Sequence, residues 1–245
     1  IESSPFNVIT TEILKNDDKQ NVLELGCGSG EVLHLLQLRG HRGMKVGIDI
    51  VDNWKNRYSN ETTKFIKGDI ADLSTLLLRN GYEYHTFDVI VAIHVLYHVR
   101  DISTLIEKSI SFLKDDGSFI ATANSNQNLF VTFDIIRNAL LELNLKPFHE
   151  NKYRYFSSEN ASEIFREYFH FVQSTITETD IVVTTSDLLA YIRSNYDNFE
   201  IPEKNNIKNK LTNEIIKKLK QKENNGVVRD RKITSLVMGK NPIRM

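Results

Sequence analysis

Short apolar segments alternate along this chain with amphipathic ones. Residues 21–25, NVLEL, form an apolar stretch. After a glycine-rich break, GEVLHLLQLRG carries Val32, Leu35, Leu36 and Leu38 at helical spacing. KVGIDI (45–50) predicts a second strand, and TKFIKGDI (63–70) carries a third, followed by the helical ADLSTLLLRN. FDVIVAIHVL (87–96) is apolar and rich in β-branched residues apart from Asp88 and His94, the pattern of a strand buried on both faces. ISTLIEKSISFLK predicts a helix closing at DDG, and SFIATAN (118–124) a fifth strand. Alternation of strand and helix from 21 to 124 predicts a parallel sheet with helices on both faces.

Beyond residue 124 the rhythm breaks. FVTFDIIRNALLELN predicts an amphipathic helix, and KPFHENKYRYFSSENASEIFREYF brings a proline, several aromatics and a helix capped at Ser157 or Ser158. FVQSTITETDIVVT (171–184) is strand-like, a helical pair follows (SDLLAYIRSNYDNF and NKLTNEIIKKLKQK), and ITSLVMGK (233–240) is a final strand. The last two strands are expected to pair antiparallel at the sheet edge. Segments 125–155 and 180–228 are expected to cap the carboxyl edge, where such sheets bind ligands, within a single domain 1–245 whose core is 20–124.

Composition narrows the classes. A chain of 245 residues, 40% hydrophobic and 26% charged, suits one soluble core. A formal net charge of -1 offers no global attraction to nucleic acid or to an anionic membrane. Residues 203–223 depart from that balance with seven Lys against three Glu. A solvated helix face is the plain reading, and an RNA or acidic-ligand surface is the other. No run approaches the roughly 20 apolar residues of a membrane span, and no secretory leader is expected. The expected location is cytoplasmic, which the single cysteine, Cys27, suits.

The glycine break carries the chemistry. Gly26-Cys27-Gly28-Ser29-Gly30 is G-x-G-x-G, with Glu31 close behind. A dinucleotide fingerprint needs a third glycine further on, and a phosphate loop needs a lysine followed by Ser or Thr. The carboxylate of Glu31 would repel a pyrophosphate, so the loop suits a ligand without phosphates lying against bare backbone; a tight strand–helix turn would also need glycine. Asp49 ends the second strand 19 residues after Gly30 and is placed to accept from both hydroxyls of a ribose. It could equally be a solvated strand-end or capping aspartate. Asp69 ends the third strand, where it could accept from a base amine or cap the next helix. Together the loop and the two acceptors describe an adenosine site.

VLELGCGSG, GIDI, GDI, FDVIVAIHVLYHV and FLKDDGSFIAT resemble, in order, the motifs of class I S-adenosylmethionine-dependent methyltransferases, chiefly members acting on small molecules. The resemblance covers residues 20–124 and implies S-adenosyl-L-methionine as cofactor. It also implies a doubly wound, Rossmann-like, mostly parallel seven-stranded sheet with an antiparallel last strand and helical cap insertions. Glu24, Gly26 and Gly28 would line the methionine end, with Cys27 a small side chain beside it and Gly30 letting the helix approach. Asp49 and Ile50 would take the ribose, Gly68, Asp69 and Ile70 the adenine, and Ala92, Ile93 and His94 would face the methionine moiety.

The acceptor is expected to be a small molecule methylated on O or N, with no membrane or nucleic-acid partner. Where that acceptor must lose a proton, His94 and His98 in HVLYH are base candidates, four apart and so on one face if a helix starts there. His149 is a third. Tyr97, Phe148, His149, Tyr153 and Tyr155 are candidate acceptor contacts, though all could be packing residues. Trp54 either shields the adenosine edge or anchors a helix. No metal is expected, since the glutamate of H-E-x-x-H is absent. The competing readings are an RNA methyltransferase using 203–223, a non-catalytic binding module and a nicotinamide dehydrogenase, the last disfavoured by the missing glycine.

Overall fold

Every residue of β1 (Val22–Leu25) is buried, as expected of a central strand whose two faces are both covered. The computed structural model describes residues 5–52, 60–146, 153, 155–194 and 205–244. β1 is flanked by β2 (Lys45–Asp49) and β4 (Phe87–Ala92), with β3 (Thr63–Lys67) beyond β2 and β5 (Leu113–Asn124) beyond β4. These five strands run parallel. With β6 (Phe169–Thr184) and β7 (Val227–Pro242) they form one seven-stranded sheet in the order β3-β2-β1-β4-β5-β7-β6, in which β7 is antiparallel. The order reverses direction at β1, the switch point where open sheets of this kind leave a crevice at their carboxyl ends.

The chain forms two compact units. The first comprises Ile1–Asn124, Tyr153–Ile176 and Ser235–Met245. Its helices are α1 (Pro5–Asn16), α2 (Glu31–Leu38), α3 (Leu73–Arg79), α4 (Ile102–Phe112) and, after α5 (Phe130–Glu142) of the other unit, α6 (Ala161–Arg166). Alternate residues of β4 feed two cores: Ile90 and Ala92 pack into one, Val89 and Val91 into the other with α1 and α2. The second unit comprises Ser125–Lys152 and Thr177–Thr234. Within it α5 (Phe130–Glu142), α7 (Thr185–Ser194) and α8 (Asn205–Lys222) share an apolar core that includes Ile136, Leu140, Ile192, Leu211 and Ile215. Asp230, itself buried, caps α5 by accepting from Val131 N (3.2 Å), Thr132 N (2.8 Å) and the Thr132 hydroxyl (2.6 Å). Among the described residues no helix is long and apolar enough to cross a membrane.

The structure departs from the sequence pattern at several boundaries. α1 was not expected; Ile9 and Ile13, one turn apart, are its buried stripe, and Arg39 ties it down through Thr10 (2.8 Å) and Thr11 (3.0 Å). β4 stops at Ala92 rather than 96, because the chain turns through His94 and a single 3₁₀ turn, Leu96–His98. β5 begins at Leu113, not 118. Leu113 pairs with Phe87 and Ser118 with Val89, so residues 114–117 bulge out opposite Asp88, which Lys114 holds at 2.8 Å. The helical spacing of ISTLIEKSISFLK therefore overshoots by two residues. β6 and β7 begin at Phe169 and Val227, ahead of the expected 171 and 233.

Candidate functional site

β1 delivers the chain into its glycine turn at the carboxyl edge of the sheet. Cys27 N donates to Ile48 O at 3.0 Å, and Gly30 N to Cys27 O at 2.7 Å, so the turn is fastened to β2 and folded on itself before α2 begins. Gly26 (φ 63°) and Gly28 (φ 52°) sit in the left-handed region that a β-carbon makes costly. A β-carbon on Gly26 would lie 2.4 Å from Cγ2 of Val95, so the turn after β4 closes directly over it. Gly28 differs: no described atom lies within 4 Å of where its β-carbon would be, which leaves an open cradle of bare backbone.

Asp49 holds this cradle in place. Its carboxylate accepts Gly28 N–H at 2.7 Å and Val51 N–H at 2.9 Å. With the carboxylate oriented by two backbone donors, its remaining lone pairs are free to face a ligand. Asp69 caps the 3₁₀ turn Ile70–Asp72 by accepting Ala71 N–H at 2.9 Å, so the capping role is real, and Asp69 also lines the cavity.

The cavity itself has a volume of about 830 Å³. Of the residues expected from the sequence it brings together Gly26, Asp49, Ile50, Gly68, Asp69, Ile70, Ile93, His94 and His98. It is completed by residues the sequence reading missed: Val51, Ala71, Val95, Val99, Arg100, Asp101, Thr104, Leu105 and Lys108. A signal for the last group was present. Asp101 is the N-cap of α4, accepting from Thr104 N (3.0 Å) and the Thr104 hydroxyl (2.7 Å), and a D-x-x-T cap fixes a helix start at this edge.

Other expected residues lie elsewhere. Ala92 is fully buried in the sheet and Gly30 is the N-cap of α2; neither lines the cavity. Glu24 is 2% exposed, and its Oε2 has no hydrogen-bond partner among the described residues. Burial raises its carboxyl well above the ordinary range, the Leu33 N–H opposes this in part, and the charges of Asp49 and Glu31 add to the rise. Cys27 is buried with its thiol pushed far up, by burial first and then by Glu24 and Asp49, an environment that disfavours the thiolate a nucleophile needs.

His94 and His98 do not share a helix face. His94 adopts φ 51°, with its N–H donated to the Thr122 hydroxyl at 3.0 Å. His98 is exposed and its ring lies 4.4 Å from that of Tyr97. Tyr97 meets Tyr153 edge-on at 5.1 Å, and Asn124 Nδ2 donates to the Tyr153 hydroxyl at 3.4 Å. Tyr155 is 48% exposed. Phe148, His149 and Trp54 lie outside the described residues. Among the described residues no group of three or more His, Cys, Asp or Glu is arranged to hold a metal ion.

These features fit an adenosyl sulfonium group better than a dinucleotide. The turn carries no lysine to hold phosphates, Asp49, Asp69 and Asp101 line the cavity beside Arg100 and Lys108, and a buried Glu24 carboxyl oxygen without a hydrogen-bond partner among the described residues lies in the strand that enters the turn. Comparison with known proteins agrees with the fold. A family model described as a methyltransferase domain matches residues 6–168. A ubiquinone biosynthesis O-methyltransferase of Neisseria meningitidis is 27% identical over 140 residues, 54% of this chain and 56% of that protein. The mitochondrial ubiquinone biosynthesis O-methyltransferase of Bos taurus is 35% identical over 111 residues, 43% of this chain and 29% of that protein. The chain thus spans about half the length of the Neisseria relative and less of the bovine one. The YcgJ protein of Bacillus subtilis superimposes with a TM-score of 0.59 at 14% identity, covering 96% of this chain and 98% of that one.

Proposed function

Since the chain belongs to the methyltransferase-domain family, we propose that it transfers the methyl group of S-adenosylmethionine to an oxygen or nitrogen of a small-molecule acceptor. The observation that carries this reading is the Asp49 carboxylate, fixed by Gly28 and Val51 N–H groups at the edge of a cavity with no phosphate-binding turn. Asp49 would accept from the ribose hydroxyls, and Asp69 with Ile70 would meet the adenine. The bare backbone of Gly26 and Gly28 would lie along the methionine end, where the buried Glu24 oxygen offers an acceptor for an ammonium group.

Bound there, S-adenosylmethionine supplies a methyl group on a positively charged sulfur that leaves as a neutral thioether. The protein's task is accordingly alignment and exclusion of water rather than activation of the methyl donor. Two of the relatives are named ubiquinone biosynthesis O-methyltransferases, which supports an oxygen acceptor of metabolite size. A hydroxyl acceptor must shed a proton, and His94, at the cavity wall, is the base candidate.

The test begins with calorimetry of S-adenosylmethionine, S-adenosylhomocysteine, NAD and ATP. The first two are expected to bind one site, with NAD and ATP far weaker; tighter NAD binding overturns the reading. Incubation of metabolite fractions with methyl-labelled cofactor then identifies the acceptor as the species that gains one labelled methyl group.

A further inference from the structure

The turn leaving β4 holds a strained residue, and a neighbouring side chain keeps it there. β4 and β5 run parallel with Ala92 opposite Ala121 as the last pair of their ladder; β4 then ends while β5 continues to Asn124. Two residues on, His94 takes φ 51°, a left-handed conformation unfavourable for any residue with a β-carbon. Its N–H lies past the last ladder pair and is donated to the Thr122 hydroxyl at 3.0 Å. Thr122 is 0% exposed, so this acceptor is held rigidly inside the sheet.

This turn is also a wall of the cavity. Ile93, His94 and Val95 line it, and Val95 packs against Gly26 so closely that no β-carbon fits between them. Any relaxation of His94 toward an ordinary φ moves the surface that faces the glycine turn.

We propose that Thr122 is a positioning residue for the cofactor site: its hydroxyl holds His94 in the left-handed conformation and thereby fixes the wall opposite Gly26. The inference rests on the proposed function, because it takes the cavity to be the cofactor's.

Thr122→Val keeps the side chain's shape and removes the acceptor, whereas Thr122→Ser keeps the hydroxyl. S-adenosylhomocysteine affinity by calorimetry, exchange of the His94 amide by NMR, and kcat and KM with an identified acceptor are the readouts. The Val variant is expected to bind about tenfold more weakly, equivalent to about 1.4 kcal/mol, with faster His94 amide exchange and a larger change in cofactor KM than in kcat. The Ser variant should recover affinity to within about twofold of the parent. A Val variant with a lowered melting temperature but unchanged affinity and KM overturns the proposal, as does a Ser variant no better than Val. If the Val variant does not fold, Thr122→Ala removes the same acceptor and is compared with Ser on the same scale. A parent protein that binds no S-adenosylhomocysteine refutes the proposed function and this inference with it. A parent that binds, beside a Val variant that binds equally well, refutes the positioning role alone.

Discussion

Asp49→Ala removes a carboxylate with two jobs. It accepts Gly28 N–H at 2.7 Å and Val51 N–H at 2.9 Å, and under the proposed function it also takes the ribose. The two losses differ in size. A hydrogen bond between ligand and a charged acceptor contributes about 1.5–3 kcal/mol, so affinity for S-adenosylhomocysteine should fall roughly 10- to 150-fold. The backbone donors fare better, because Gly28 is half-buried and Val51 exposed. Water can replace the carboxylate there, and stability should drop by only about 1 kcal/mol. Asn is no mild substitute, since both carboxylate oxygens accept backbone N–H groups and an amide would set its own donor against one of them. Calorimetry and thermal denaturation of the parent, D49A and D49N read the two quantities separately. An alanine variant that stays folded and binds within twofold of the parent would refute the reasoning, leaving Asp49 a strand-end cap.

Gly26→Ala must bear both a left-handed φ of 63° and a β-carbon 2.4 Å from Val95 Cγ2. Its S-adenosylhomocysteine affinity should fall at least about tenfold, and Val95→Ala in the same background should recover only part, because Val95 Cβ would still lie 2.9 Å from the added β-carbon and roughly 1–2 kcal/mol of backbone strain remains; full recovery by calorimetry would show that the Val95 methyl groups alone matter. His41 is 4% exposed, and burial together with the Lys45 cation, opposed in part by Asp18, Asp17 and the Gly43 backbone, pulls its pKa down to about 4. The unfolded chain takes up this proton near pH 6.5 and the folded chain only near 4, so stability should be lost as pH falls through that window, by on the order of 2–3 kcal/mol. Urea midpoints of parent and His41→Leu at pH 7 and pH 4.5 check this; the leucine variant should lose less on acidification, and an equal loss in both discounts His41.

What the sequence made legible was what depends on local pattern. β1 to β5 alternate with helices because each buried strand is a short, mostly apolar run: VLEL is broken only by Glu24 and FDVIVA only by Asp88, as covering of both faces demands. The antiparallel edge was readable from two strand-like runs split by helices. The glycine turn and Asp49 stood out because their spacing is set by one strand–turn–helix–strand unit. Features created by tertiary contact were not legible. The bulge at 114–117 depends on Asp88 catching Lys114 across the sheet, and DDG in one sequence cannot be told from a helix stop. The left-handed turn at His94 depends on a hydroxyl 28 residues away, so HVLYH looked like a helical pair. α1 does not stand out in the sequence because Ile9 and Ile13 are its fully buried apolar residues among those described, too sparse for periodicity to mark.

Cys27 gives the protein a built-in reporter. It is the only cysteine in the chain, it sits within the glycine turn, and burial keeps its thiol protonated and shielded. An alkylating reagent can therefore reach it only when the turn opens away from β2, breaking the Cys27–Ile48 backbone bond. The rate of modification then reports the population of the open turn when reclosing is fast, and the frequency of opening when the reagent outpaces reclosing, at a single atom and without any added label. Because the chain has no other thiol to compete for a thiol-selective reagent, the same thiol could follow how tightly successive ligands clamp the turn shut.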